Sequence, residues 1–157
     1  FPLAAVIARE SLDIAPDIAL GHYTHEKSPA ACAAALATIA YIEENKLAEH
    51  AKELGLYAKE RMKAMMENHS LIGDVRGLGL LMGMELVQDR TTRERATDEA
   101  EAVMYSALSK GLSFKTTMGN ILTLTPPLTI TRAEMNKALD ILEESLTEVQ
   151  DTLNHKT

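Results

Sequence analysis

Two histidines three residues apart, His22 and His25, with Glu26 directly after the second, are the first side chains here that could do chemistry. An HxxH pair can bring two imidazoles together, and an adjacent carboxylate could act as a base, which outlines a small metal hydrolase. There is no clear third ligand at a zinc-type spacing, and "GHYTHEK" has neither helical nor strand period. A hydrogen-bonding loop accounts for the pair better, and no metal is expected. Gly77, Gly79 and Gly83 are spaced GxGxxxG but lead into no helix, so they do not form a dinucleotide loop. Ser, His and Asp are present without a nucleophile elbow. Lys27 and Lys115 lie among polar residues, with no sign of the desolvating pocket that would make a lysine nucleophilic.

The elements that must hold these residues follow from composition. A chain of 157 residues can form one domain that buries roughly two thirds of its unfolded surface. With four Tyr, two Phe and no Trp, its core must rest on Leu, Ile, Ala and eight Met, a mixture that favours helices. The net charge of −7 and the scattering of basic among acidic residues exclude a broad nucleic-acid or anionic-membrane surface. Cys32 is the only cysteine, so no intrachain disulfide forms, and a reducing, cytoplasmic setting is expected. No apolar run reaches the roughly 18 residues of a membrane span. The first residue is Phe1, and "FPLAAVIA" reads as a buried strand or helix segment entered part-way, as in a piece of a longer chain.

"RESLDIAPDIALGHYTHEK" reads as loop. Ser28 and Pro29 then form a helix start, the Ser as a side-chain cap and the Pro at the first helical position. Alanines carry the helix onward. Leu47, Ala51, Leu54, Ala58, Met62 and Met65 recur at spacings of three and four, so residues 29–67 are one long helix or two joined near Asn45, with Glu53, Lys59 and Glu60 in solvent. "LIGDVRGLGLLMGMELVQD" reads as strand, turn, strand. A polar linker precedes a helix over about Thr97–Lys110, with Ala100, Val103, Met104, Ala107 and Leu108 on one face and Gly111 as its stop. "LSFKT" and "ILTLT" alternate as strands around the turn "TMGN", and Pro126-Pro127 ends the second. Thr131 and Glu134 make a capping box for a last helix with Met135, Leu139, Leu142, Leu146 and Val149 buried. The fold class is α+β: a small, mostly antiparallel sheet covered by helices and preceded by a long helix.

Four ordered stretches, "FPLAAVIA", "THEKSPAACAAALATIAYIEENKLAEHAKELGLYAKERM", "LIGDVRGLGLLMGMELVQD" and "LTPPLTITRAEMNKALDIL", together resemble the C-terminal third of a class III (ω-type) aminotransferase. That family uses pyridoxal phosphate on fold type I, and the likeness is nearest to its dialkylglycine decarboxylase-like group. The resemblance implies three parts: residues 1–28 as a remnant of the large cofactor-binding domain, 29–67 as an interdomain helix or helix pair, and 68–157 as the C-terminal small domain. Pro2 to Val6 match the strand that follows the cofactor-bearing lysine, which would lie upstream of Phe1. Residues 1–157 alone are therefore expected to contribute no catalytic residue and to be inactive. A homodimer acting on small amines or amino acids and keto acids is implied. Decarboxylating, epimerising and eliminating variants of the reaction stay open.

Two site residues carry over from the resemblance. Thr24 stands five residues before Pro29, where relatives place a threonine that reaches the cofactor phosphate across the dimer interface. "THEKSP" replaces the usual Gly-rich wording there. Thr123 stands three residues before the Pro126-Pro127 pair, where many relatives have an arginine that forks onto the substrate carboxylate. A threonine offers one neutral hydrogen bond instead, weaker by about 2 kcal/mol or more. Thr123 and Thr125 should share a strand face, as a polar pocket wall or as an exposed pair. Arg76 in "GDVRG" is expected to serve an ion pair or turn rather than to replace the clamp. An independent interaction or dimerisation module is the competing function, and exposed apolar surface or a non-native oligomer is expected of the isolated piece.

Overall fold

The alanine run and the apolar stripe after it form two separate helices. The computed structural model describes residues 3–15, 17–18 and 28–155 and divides into two units, Phe1–Lys46 and Leu47–Thr157. In the first unit, α1 spans Pro29–Glu44. Ser28 occupies its cap position, but its hydroxyl accepts no hydrogen bond, contrary to the expected side-chain cap; its carbonyl accepts from Cys32 N–H instead. Asn45 ends the helix by donating from Nδ2 to the Tyr41 carbonyl at 2.9 Å, and Lys46 takes a left-handed φ of 50°. Only Ala31 of α1 is buried, while Leu36, Ile39 and Tyr41 are exposed, the bare apolar face that the sequence predicts.

Residues 3–9 correct one expectation. They form neither strand nor helix, and Val6 and Ile7 are almost fully exposed. A strand needs a neighbouring edge for its N–H and C=O groups, and no described residue of this unit is in a strand. A short 3-10 turn at Glu10–Leu12 follows within the expected loop.

The second unit opens with α2, Leu47–Asn68, whose buried stripe is the predicted one with Gly55 added. Strands β1, Ile72–Leu78, and β2, Leu81–Leu86, form a hairpin. Helix α3, Thr97–Ser109, follows. Then come β3, Lys115–Thr117, and β4, Ile121–Leu124, and finally α4, Arg132–Asn154. The sheet is fully antiparallel in the order β1-β2-β4-β3. α2 and α3 pack on it and α4 packs against both helices. Met62, Met84, Leu86, Val103, Leu122, Leu139, Leu142 and Leu146 are fully buried at the centre.

The strand predicted over "LSFKT" begins only at Lys115. Leu112 and Phe114 pack against the core outside any ladder, so their apolar character reflects burial and not pairing. Leu108 is half exposed, off the buried face of α3. Gly111 stops α3 as expected: at a φ of 92° it lets its own N–H reach the Leu108 carbonyl and Leu112 N–H reach Ala107, a Schellman ending. The linker does more than connect. Arg90 donates to the carbonyls of Met66, His69 and Ile72, closing the C-terminus of α2 onto the start of β1.

Gly55 fixes how α2 meets the hairpin. A Cβ there would lie 2.1 Å from the carbonyl oxygen of Gly79, which itself turns with a φ of 54°. Backbone meets backbone at that point, so nothing can rotate away. Gly55→Ala should cost about 3 kcal/mol in chemical denaturation; a loss below about 1 kcal/mol would mean that the hairpin is free to shift.

The capping box forms, with Thr131 N–H and hydroxyl both donating to Glu134, which holds the Glu134 carboxyl below its usual range. A depressed carboxyl adds stability that is complete above its unfolded pKa of about 4.3 and is lost as pH falls through the lower folded value. Glu134→Gln should therefore flatten the decline of stability through this acid window when unfolding is followed against pH, whereas an unchanged slope would contradict the assignment.

Candidate functional site

The register of the sheet assembles the site. β4 lies between β2 and β3, and Thr123 pairs with Gly83 on one side and Lys115 on the other. Gly83 in turn pairs with Arg76 of β1. Directly paired residues project to the same face, so Arg76, Gly83, Thr123 and Lys115 form one row across all four strands. The next row on that face is Asp74, Glu85, Ile121 and Thr117. Their alternates, Val75, Met84 and Leu122, are buried toward the helices. The first two rows thus line the face that α2 and α3 leave uncovered.

The charges on this face are unequally available. Arg76 Nη1 donates to Glu85 at 2.6 Å and to Asp74 at 2.7 Å. Those bonds, Glu85 first and Asp74 second, hold its guanidinium above the ordinary arginine pKa. With its side chain half exposed, this pair adds only about 0–1 kcal/mol of stability. Its chemical consequence is larger, because the one guanidinium in the row is already engaged. The expected structural ion pair is what forms. Lys115 at the other end of the row is exposed, which fits no nucleophilic role, and it forms no ion pair among the described residues.

Thr123 is half-buried, and its Oγ1 lies 2.7 Å from the Oγ1 of Thr117, a hydroxyl pair in which either can donate. Gly83 beside it carries no side chain, and Ile121 leans over it, its Cγ2 only 3.2 Å from where an added Cβ would lie. Thr123, Thr125 and Lys115 also line a cavity of about 460 Å³ with Ser113, Phe114 and Pro126. That cavity is largely apolar, closed by Met82 and by Met135, Ala138 and Leu139 of α4. Thr24 lies outside the described residues, as do His22, Tyr23, His25, Glu26 and Lys27. Among the described residues no cluster of His, Cys, Asp and Glu is placed to hold a metal, and no helix is long and apolar enough to cross a membrane.

The family resemblance singled out Thr123, while nothing in the linear sequence pointed to its neighbours Thr117 and Gly83. The signal for them is register: once the turn between β3 and β4 is taken as Met118–Asn120, with Met118 and Gly119 both at positive φ, Lys115 must face Thr123, and Thr117 becomes its diagonal neighbour.

A family model described as aminotransferase class-III matches residues 1–146. The chain is 48% identical over 148 residues to an (R)-1-hydroxy-2-aminoethylphosphonate ammonia-lyase of Vibrio splendidus, covering 94% of this chain and 31% of the relative. It is 45% identical over 152 residues to a leucine/methionine racemase of Thermococcus litoralis, covering 96% and 34%. It therefore spans about a third of the length of these curated relatives. Among solved structures, a transaminase from the marine bacterium Virgibacillus superposes with a TM-score of 0.79 at 29% identity, over 85% of this chain and 32% of that one.

Arg76→Met should lower stability by no more than about 1 kcal/mol, with the difference shrinking in high salt. It should leave small-molecule affinity in the full-length protein unchanged, as read by calorimetry. A tenfold loss of affinity would show that the guanidinium leaves its carboxylates to hold the ligand.

Proposed function

The chain belongs to the class III aminotransferase family, and we propose on that premise that it is the C-terminal part of a homodimeric pyridoxal-phosphate enzyme that moves an amino group from an amine or amino acid to a keto acid. The family match over residues 1–146 carries this reading. Residues 1–28 belong with the large domain, 29–67 link the domains, and 68–157 form the small domain. The lysine that anchors the cofactor and moves the proton lies upstream of Phe1, so residues 1–157 alone are inactive. The single Cys32, exposed and unpaired, goes with a cytoplasmic setting, and the charge of −7 with small-molecule rather than nucleic-acid or membrane partners.

Pyridoxal phosphate, when bound, supplies an electron sink next to the amino-bearing carbon. This chain's own residues bind and orient. Thr24 donates its hydroxyl to a phosphate oxygen at the dimer interface, a task suited to a small neutral donor. On the uncovered sheet face two hydroxyls and an ammonium stand beside Gly83, a donor set suited to the other end of such a site. Thr123 sits where a clamp would, while Arg76 is held by Asp74 and Glu85.

A second reading, an ammonia-lyase or racemase on the same cofactor, is favoured by the names of the two relatives at 48% and 45% identity. The products separate the two. Full-length protein given an amine and a keto acid should consume the keto acid in step with the amine; ammonia released without an acceptor, or inversion at the amino-bearing carbon, would select the second reading. No turnover of any amine would overturn both.

Thr24→Ala in the full-length dimer should weaken cofactor retention about 10- to 100-fold, the loss expected for a hydrogen bond to a charged group. Absorbance after dialysis reads this directly, and unchanged retention would remove Thr24 from the site.

A further inference from the structure

The ladder between β3 and β4 ends at the Lys115–Thr123 pair, and from there the two chains part. On one side Thr125 leads into Pro126 and Pro127, which have no N–H to donate to a neighbouring strand. On the other, Leu112 and Phe114 approach β3 outside any ladder. The cavity of about 460 Å³ opens where they separate, walled by Met82 and Leu124 of the sheet, by Phe114, and by Met135, Ala138 and Leu139 of α4. Side chains facing such a space gain dispersion contacts only from something of matching polarity, and water finds few hydrogen bonds against apolar walls. An apolar cavity of about 150 Å³ already holds benzene, so this one has room for a fused bicyclic ring or a branched alkyl chain.

One wall of this cavity is thin. Thr125 and Pro126 also line a second cavity of about 510 Å³, beside Ala51 of α2 and Leu81 of the hairpin, so the strap from Thr125 to Ile130 runs between two spaces. Ile130 N–H donates to the Pro127 carbonyl at 3.0 Å, a bond internal to the strap that travels with it. Among the described residues one hydrogen bond ties the strap to the body: His50 Nε2 of α2 donates to the Ile130 carbonyl at 2.8 Å, since a carbonyl only accepts. Two adjacent prolines with fixed φ keep the strap stiff, so it moves as a piece. Opening it breaks the His50 bond and no ladder.

We propose that the cavity is a binding site for uncharged aryl or branched-alkyl molecules, and that the strap, latched by His50, is its door. This goes beyond the amino-group reading and requires no cofactor. A charged group inside would lose its water with no partner among these walls, and Lys115 is exposed to solvent.

The test titrates full-length protein with naphthol, an uncharged bicyclic probe, by calorimetry, and follows the probe's fluorescence by stopped flow. Saturable binding at one site per chain is expected, with naphthoate, its carboxylate counterpart, about tenfold weaker or worse. Ala138→Leu puts a branched side chain into the cavity and should weaken naphthol about tenfold or more. Ala133→Leu, at an exposed position of the same helix, should leave binding unchanged. Circular dichroism checks folding, and Ala138→Val gives the same direction if the leucine variant does not fold. His50→Ala should speed association and dissociation together, about fivefold each, with the dissociation constant unchanged. His50→Gln, whose amide donates to the same carbonyl, should restore the slow rates, whereas a purely structural role would shift affinity instead. No saturable naphthol binding, undiminished binding in Ala138→Leu, or naphthoate binding as tightly, would overturn the site. Unchanged rates in His50→Ala would overturn the door.

Discussion

The period-two register of the four antiparallel strands is the constraint on which the rest depends. Each strand has one buried face, and a slip by one residue would turn every side chain over. With β4 paired as it is, Leu122 is sealed in the core, while Thr123 looks out between Gly83 and Lys115. The helices enforce this choice, since Met84, Leu86 and Leu122 must meet the apolar stripes of α2 and α3. Core packing and site geometry are therefore one decision: the packing that buries Leu122 also presents Thr123.

The hairpin of β1 and β2 is tied to α2 by backbone contact and by hydrogen bonds to carbonyls, not by ion pairs. Gly55 and Gly79 let backbones touch near the turn, and Arg90 gathers three carbonyls at the other end of the helix. Between these points Arg76 can only reach along the sheet, where Asp74 and Glu85 hold it. An arginine that looks available in the linear sequence is thus occupied by its own hairpin. Of the two cations in the outer row, Lys115 alone has no ion pair among the described residues.

Much of the fold was legible in the sequence because its signals were local. The stripe from Leu47 to Met65, the Gly111 stop and the Thr131–Glu134 capping box each depend on residues within a turn or two of one another, and all three form. What failed depended on partners elsewhere in space. "PLAAVIA" has strand composition but no edge to pair with among the described residues, and Leu112 and Phe114 alternate like a strand yet pack half-buried against the core without a ladder. The site divides in the same way. Thr123 is singled out by the family resemblance, while its neighbours Gly83 and Thr117 emerge only when three strands are set side by side. Thr24, carried over from the same resemblance, lies outside the described residues.

The central claim is that the register of the four strands keeps Arg76 on the carboxylates of its own hairpin and leaves Thr123 on the uncovered face. A crystal structure of the full-length protein tests it most directly. The account predicts Thr123 paired with Gly83 and Lys115, Leu122 sealed in the core, and Arg76 within hydrogen-bonding distance of Asp74 and Glu85. Thr123 turned toward the helices, or Arg76 swung away from both carboxylates, would contradict it.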